Sequence, residues 1–344
     1  MKNSQRNFFI GLSIAVLLLL GRSLYVHFTF KSVTPISPTI STTTPIQNTV
    51  SSTTPVSKPK PVSVSAPYPT PTSTPNTSIL KWGAYVGDGN NNLASLESMV
   101  GAKANIQADF EGWDTPFPAY FASTVGQRGK TLVVYWEPNF GYDKINDGSQ
   151  NNYIKQFAVG AKEYGYPVML APFDEFNLNE SAWGYGINGN TPTKFLNAWK
   201  RVHDIFAKVG ANNVKFVLTY NNVSVPNTPD NKFSAYYPGS KYVDYVGVDG
   251  FNFGNPWTSF AQTFDSAIAT LNTFNKPIYI MSVGTVPGTQ KPAWINEMGT
   301  HIKTYSKVVG WVWFNSNNQD NGASFVIYSD TPSLESFRGL LNKD

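Results

Sequence analysis

The sequence predicts an α/β fold of the (β/α)8 barrel type over residues 79–344. Along this stretch, short runs rich in β-branched and aromatic residues alternate with amphipathic helical patterns, which indicates parallel strands joined by helices. Eight such runs are present, and eight strands with their helices typically occupy about 250 residues. The strand candidates are LKWGAYVG, ANIQADF, TLVVYWEP, PVMLAPF, NVKFVLTYN, VDYVGVDGF, PIYIMSVG and VVGWVWFN.

An open, doubly wound sheet is the structural alternative. That fold would be favoured by a glycine-rich phosphate loop with the spacing G-x-G-x-x-G directly after the first strand. The segment VGDGNNN stands there instead and lacks this spacing. The barrel is therefore the preferred prediction.

Helix signals lie between several of the strand candidates. The segment TPTKFLNAWKRVHDIFAKVG begins with a threonine cap and an early proline and ends on glycine, so both helix ends are marked. The segments SFAQTFDSAIATLNTF and AWINEMGTHIKTYSKV have similar patterns. Each would cover one outer face of a barrel.

Residues 1–32 predict a membrane anchor. The run from Phe8 to Leu20 has no charge and follows Lys2 and Arg6, as in a signal-like core with a positive cytoplasmic flank. No A-x-A cleavage site follows it. We therefore predict a single-pass anchor in the cell membrane with the C-terminal domain outside. A cleaved signal peptide, which would leave the protein secreted, is the alternative.

Residues 33–78 predict a disordered stalk. They hold ten prolines and twenty-one serines or threonines among forty-six residues, with no glycine and no acid. Such a composition cannot bury a core and favours extended, polyproline-like chain. The predicted organisation is therefore an anchor at 1–32, a stalk at 33–78 and a barrel at 79–344.

Charge and composition exclude several classes of function. The formal net charge is +4, but residues 1–78 hold six bases and no acid, so residues 79–344 hold 20 bases and 22 acids. The barrel therefore gives no reason to expect a nucleic-acid partner. The chain has no cysteine, and His27, His203 and His301 all lie away from strand ends. We accordingly expect neither a metal nor an organic cofactor, and we expect a monomer.

The active site of such a barrel lies at the carboxyl ends of its strands. Carboxylates and aromatic residues recur at these positions, a combination that suits carbohydrate, because rings stack on sugar C–H faces and acids bind hydroxyls or cleave glycosidic bonds. The alternative is that barrel rims are polar in any case. The strand-end residues include Tyr85, Asp109, Glu111, Trp113, Trp136, Glu137, Asp174, Glu175, Asn177, Asn221, Asp249, Phe251, Ser282, Trp313 and Phe314.

Several segments together resemble glycoside hydrolase family 26. They are PFDEFNLNESAWGYG, FLNAWKRVHDIFAKVGANNVKFVLTYN, VDYVGVDGFNFGNPWTSF, KPIYIMSVGT and GWVWFN with SFVIYSDTPSLESFR. The likeness covers roughly residues 80–340. The best-known members of this family are retaining endo-β-mannanases, with some glucanases and xylanases. The resemblance therefore implies a polysaccharide substrate, a β-mannan or a related β-glycan.

The resemblance assigns roles on the fourth strand. The family's acid/base glutamate corresponds to Glu175, and Asp174 stands where the family has a histidine. Asn177 and Trp183 match a following asparagine and tryptophan, whereas Ala171 replaces an arginine. We expect Asp174, Asn177 and Trp183 to contact the sugar.

The resemblance also identifies a missing group. Ser282 stands at the position of the nucleophilic glutamate on the seventh strand, and Phe251 replaces the tyrosine that hydrogen-bonds this nucleophile. Around the sugar we further expect Glu137, Trp136 and Trp313.

The loss of the nucleophile leaves three interpretations. A retaining glycosidase needs two carboxyl groups about 5–5.5 Å apart, and a serine hydroxyl without a base cannot replace one of them. The protein is then a hydrolase with an altered mechanism, in which Glu111, Glu137 or Asp249 activates a water. Otherwise it is a glycan-binding pseudoenzyme, or a structural spacer.

Overall fold

The computed structural model of the protein describes residues 80–87, 93–317 and 323–342. Within them, eight parallel strands close into a barrel in sequence order. The predicted (β/α)8 barrel is confirmed, and the open sheet is wrong. The strands are β1 (Lys81–Tyr85), β2 (Ile106–Gly112), β3 (Thr131–Glu137), β4 (Val168–Pro172), β5 (Val214–Asn221), β6 (Tyr245–Asn252), β7 (Ile278–Thr285) and β8 (Val308–Phe314).

Helices cover the outside of the barrel. The connection from β5 to β6 differs from the others because it holds two 3-10 helices, Phe233–Tyr236 and Ser240–Tyr242, and no α-helix. The α-helices in the described part of the chain are α1 (Leu93–Val100), α2 (Ala119–Gln127), α3 (Asp143–Asn146), α4 (Asn151–Tyr164), α5 (Pro192–Val209), α6 (Phe260–Asn272), α7 (Lys291–His301) and α8 (Thr331–Leu341).

The predicted anchor at 1–32 and stalk at 33–78 lie outside the described residues, so both stay predictions. Within 80–87, 93–317 and 323–342, no helix combines the length and the apolar character needed to cross a bilayer.

Helix α5 illustrates how local signals fix an element. The Thr191 hydroxyl accepts a hydrogen bond from the Lys194 backbone N–H, and Pro192 occupies the first turn, where no N–H is needed. Gly210 ends the helix in the left-handed region with φ 77°. Both predicted helix ends are confirmed.

Side chains along each strand alternate between two apolar layers. Residues such as Val133 and Tyr135 on β3 fill the barrel interior. Their neighbours Val134 and Trp136 point outward and pack beneath the helices. The position of a residue in this alternation therefore decides whether it can reach the barrel mouth.

Strand β7 departs from the alternation near its middle. Its register with β8 shifts between Ile280 and Val283, and its register with β6 shifts opposite Asp249. Met281 lies in the interior cluster, and the Ser282 hydroxyl lies 3.1 Å from the interior Tyr135 hydroxyl. Two consecutive residues thus face the interior, which is what a β-bulge produces.

Trp136 is the centre of an aromatic stack between the barrel and its helices. Its ring lies 4.0 Å from the Trp113 ring and 4.2 Å from the Phe157 ring, and it is completely buried. Trp136→Ala should lower the free energy of unfolding by about 3–5 kcal/mol, because it removes this packing and leaves a cavity. Urea denaturation measures the loss.

Tyr120 provides the matched control, because its side chain is 87% exposed. Tyr120→Ala should change the free energy of unfolding by less than about 0.5 kcal/mol. Equal effects of the two substitutions would contradict the buried stack.

Candidate active site

Four carboxyl groups meet at the carboxyl end of the barrel. We call Glu137, Asp174, Glu175 and Asp249 the carboxyl cluster. Glu137 ends β3, Asp174 and Glu175 follow β4, and Asp249 lies on β6. The charges of Glu137, Glu175 and Asp249 all act on Asp174, so the four side chains share one region. The structure thus brings together residues that are far apart in the sequence.

The turn after β4 holds Glu175 in an unusual backbone conformation. Glu175 has φ 54°, and Phe173 has φ 62°. Residues other than glycine rarely occupy this left-handed region, at a cost of roughly 1–3 kcal/mol each. Because the strand has already ended, strict alternation no longer applies, and Asp174 and Glu175 both reach the cluster. Neighbouring residues on a regular strand point to opposite faces, and this turn is the reason why Asp174 and Glu175 do not.

Asn221 fixes the Glu175 side chain. Its amide nitrogen donates to Glu175 Oε1 at 2.8 Å. The Asn177 side chain in turn holds Asn221, donating to its carbonyl at 3.0 Å and accepting from its N–H at 2.9 Å. The sequence predicted that Asn177 contacts the sugar, but its side chain is completely buried and holds Asn221 in place.

Trp183 has a similar supporting role. Its indole N–H donates to the Asp174 carbonyl at 2.7 Å, and the ring is 5% exposed. The bond ties the long loop after β4 to the turn that carries the carboxyls. Trp183 lies beside the site as expected, but its ring offers almost no surface for stacking.

The corner opposite Glu175 is built around Ser282. Asp249 pairs with Ser282 across β6 and β7 and is hydrogen-bonded to its side chain and its backbone. The Tyr135 hydroxyl lies 3.1 Å from Ser282 Oγ and donates to the Met281 carbonyl. Sequence reasoning missed Tyr135, although its position next to the outward-facing Trp136 places it in the interior.

Burial and mutual repulsion weaken the acidity of the cluster. Burial first, and then the charges of the other three acids, raise the pKa of Asp174 well above its ordinary value. Burial and the charge of Glu175 raise the pKa of Asp249 in the same way, against hydrogen bonds from Ser282. Burial and the charge of Glu175 raise the pKa of Glu137 to about 7.

Glu175 itself has a raised pKa. Burial is the main cause, and the hydrogen bond from Asn221 acts in the opposite direction by favouring the carboxylate. A carboxyl group with a raised pKa keeps its proton to a higher pH than an ordinary glutamate and can donate it to a leaving oxygen.

Aromatic rings form the other half of the barrel mouth. We call Tyr85, Phe110, Phe251 and Phe314 the aromatic wall. Ring centroids lie 4.9 Å apart for Tyr85 and Phe110, 5.0 Å for Tyr85 and Phe314, and 5.6 Å for Phe251 and Phe314. All four rings are partly exposed. Phe251 was expected at the site and lies in this wall.

Two expected sugar contacts are absent from the mouth. Trp136 and Trp313 are completely buried, and the Trp313 indole N–H donates to the Phe325 carbonyl at 2.8 Å. Both residues point outward in the strand alternation, so neither ring has a face for a sugar. Glu111, a candidate base, also points outward and accepts from the Thr115 hydroxyl at 3.0 Å.

No three histidine, aspartate or glutamate side chains in the described part of the chain are arranged to hold a metal ion. The carboxyl cluster can exchange protons and form hydrogen bonds, and the aromatic wall lies beside it. A paired set of carboxyls next to exposed rings at the mouth of a (β/α)8 barrel defines a glycosidase-type site.

Comparison with known proteins identifies the family. A family model described as Glycosyl hydrolase family 26 matches residues 130–332. The chain therefore belongs to this family, as its motifs predicted.

A relative and two solved structures illustrate the similarity. Endoglucanase H of Acetivibrio thermocellus is 34% identical over an alignment of 274 residues. The match covers 75% of this chain but only 30% of that protein. A β-mannanase from Bacteroides ovatus has a similar fold, with a TM-score of 0.56, 15% identity, and coverage of 77% of this chain and 88% of that one. A modular endo-β-1,4-mannanase from Cellulomonas fimi gives a TM-score of 0.59, 14% identity, and coverage of 77% and 70%.

The hydrogen bond from Asn221 makes a testable contribution to the titration of Glu175. Asn221→Ala removes a donor that favours the carboxylate, so the pKa of Glu175 should rise further. A 13C NMR titration of the Glu175 carboxyl carbon measures the shift.

Asn222→Ala is the control, because that neighbouring amide donates to the Thr263 carbonyl and not to Glu175. It should leave the Glu175 titration unchanged. A downward shift in Asn221→Ala, or the same shift in both variants, would contradict the assignment.

Proposed function

We propose that the protein hydrolyses a β-linked polysaccharide, with Glu175 as the proton donor and Asp249 as the base that activates a water. The observation that carries the proposal is a pair of carboxyl groups, each held by its own hydrogen bonds in the barrel mouth. Glu175 is held by Asn221 on one side, and Asp249 is held by Ser282 on the other. Glu175 follows β4 and Asp249 lies on β6, and the charge of Glu175 acts on Asp249.

The replacement of glutamate by serine has a direct geometric consequence. Serine is shorter by two carbon atoms and a carboxyl oxygen, so it leaves room beside Asp249 for a water, which occupies about 30 Å³. An inverting glycosidase keeps its carboxyls about 6.5–9.5 Å apart to accommodate such a water. Ser282 and Asp249 supply polar partners that would orient it.

The proposed reaction involves two proton transfers. Asp249 removes a proton from the water, whose oxygen bonds to the anomeric carbon. The glycosidic C–O bond breaks, and the leaving oxygen takes the proton of Glu175. Afterwards Asp249 is protonated and Glu175 is ionised, so exchange with solvent restores the starting state. The anomeric configuration is inverted.

The substrate is proposed from chemistry and similarity together. The aromatic wall suits the apolar faces of sugar rings, and the carboxyl cluster suits their hydroxyls. The relative is called an endoglucanase and the structural neighbours are mannanases. A β-glucan and a β-mannan are therefore the first substrates to test.

The location is part of the same proposal. Polysaccharides of this kind occur outside the cell. The uncharged run from Phe8 to Leu20, which follows two bases, favours a membrane anchor with the barrel domain facing outward on a stalk. We propose that the protein acts there as a monomer.

A second candidate is a glycan-binding protein without turnover. It is favoured by the Ser282 hydroxyl, which already forms hydrogen bonds with Tyr135 and Asp249. It is also favoured by Phe251, which has no hydroxyl to orient a nucleophile. Binding through the aromatic wall does not require a nucleophile.

Glu175→Gln separates the two candidates. In the full-length protein it should reduce the release of new reducing ends by about 10²–10⁴-fold while glycan binding persists, because the amide cannot donate the catalytic proton. Proton NMR during the first turnovers should show the inverted anomer in the unsubstituted protein.

Glu163→Gln is the control for this experiment, since Glu163 is an exposed acid on α4 whose charge is not among those that shift the pKa of Glu175. It should leave cleavage unchanged. Binding without cleavage in the unsubstituted protein would select the glycan-binding candidate, and a retained anomer would rule out Asp249 as a base for water.

Ser282→Glu restores a carboxyl at the position of the family's nucleophile. It should raise the rate about tenfold or more and change the product to the retained anomer, because an attacking carboxylate replaces the water. Ser282→Gln has the same size without the charge and should not raise the rate. Equal rates in the two variants would mean that position 282 does not face the anomeric carbon.

A further inference from the structure

The face of the barrel that carries the site is strongly acidic. In the described residues, the segments that join the end of each strand to the next α-helix or 3-10 helix contain six acids and a single base, Lys232. Residues 79–344 as a whole are almost balanced, with 20 bases against 22 acids, so the excess is local. The six acids are Asp114, Asp174, Glu175, Glu180, Asp230 and Asp330.

Two buried carboxyl oxygens at the centre of this face have no partner. Asp174 is 5% exposed and Asp249 is 2% exposed, and the Oδ1 atom of each makes no hydrogen bond. Both side chains belong to the carboxyl cluster. A buried polar atom without a partner costs roughly 1–3 kcal/mol, so two such atoms within one carboxyl cluster offer hydrogen-bond acceptors to a ligand.

Among the described residues, no base is a main cause of the pKa shift of either carboxyl. Ala171 fills the interior where the resemblance places an arginine. The Lys291 ammonium is turned away and donates to the Val326 carbonyl at 2.6 Å. The charges that raise the pKa of Asp174 and Asp249 all come from other acids. Within the described residues, the cluster also lacks the arrangement that a metal ion requires.

We propose that the site prefers a β-linked glycan whose sugar units carry protonated amino groups, that is, a polymer of N-deacetylated 2-amino sugars. This inference rests on the proposed function and narrows its substrate class. An ammonium group donates up to three hydrogen bonds, which matches the two unpartnered oxygens. The amino group at C2 is adjacent to the anomeric carbon, so it lies beside Glu175 and Asp249 when the glycosidic bond does.

The first test compares oligosaccharides of equal length on the full-length protein by isothermal titration calorimetry. The probes are a β-1,4-linked glucosamine oligomer, its fully N-acetylated form, and the corresponding gluco- and manno-oligomers, all at one mildly acidic pH. The amine-bearing oligomer should bind about tenfold more tightly or better, because its positive charge favours the ionised form of Asp174 and Asp249, and hydrogen bonds between charged groups exceed those between neutral ones. This comparison needs no variant.

The second test uses Asp174→Asn and Asp249→Asn, each of which should remove most of the preference for the amine. Asp204→Asn is the matched control, because Asp204 lies on the outer surface of α5 with a side chain that is 63% exposed. It should keep the full preference. An equal loss in the control would overturn the inference, since it would indicate an effect of overall charge.

The outcomes separate this inference from the proposed function. Cleavage or tight binding of neutral glucan or mannan with no gain for the amine would overturn the inference alone. Failure of every oligosaccharide to bind or be cleaved would overturn both. Preferential binding of the glucosamine oligomer that depends on Asp174 and Asp249 would support both.

Discussion

The alternation of side chains along eight closed strands is the constraint on which the site depends. Because every second residue points into the barrel, only one set of strand residues can reach the mouth. Tyr135 and Glu137 belong to that set, whereas Trp136 between them is completely buried under the helices. The bulge in β7 adds one exception by turning Ser282 toward the interior. Of two neighbouring residues on one strand, one can therefore face the site at the barrel mouth while the other packs under the helices.

Within this frame, the carboxyl cluster is an electrostatic arrangement without a compensating base. Each acid is desolvated and feels the charge of another acid, which for Glu175 is Glu180 outside the cluster, so the pKa of all four is raised. A family nucleophile at position 282 would add a fifth carboxyl beside Asp249. Its replacement by serine removes that repulsion and supplies two hydrogen bonds to Asp249. Serine at position 282 therefore favours the ionised form of Asp249, which the proposed role of Asp249 as a base requires.

The supporting residues explain how a strained turn persists. Glu175 and Phe173 have positive φ angles, and the surrounding amide network holds this conformation. Asn177 bonds to the backbone of Asn221 through both ends of its side chain, and Asn221 reaches Glu175. Trp183 closes the other side through the Asp174 carbonyl. Residues that look like sugar contacts in the sequence thus hold the acids in place, and the partly exposed rings at the mouth belong to the aromatic wall and not to the tryptophans.

The sequence by itself determined the barrel, the family and the location of the site after β4, because strand and helix periodicity, capping signals and the PFDEFN motif are local properties of the chain. It also identified Glu175, Asp174 and Phe251 as residues of the mouth. The tertiary structure alone decided which aromatic rings stay exposed, how Asn177 and Tyr135 serve the site, and that Asp249 meets Ser282. Those outcomes depend on strand register, on one bulge and on turns beyond strand ends, and all three are set by packing between segments distant in the chain.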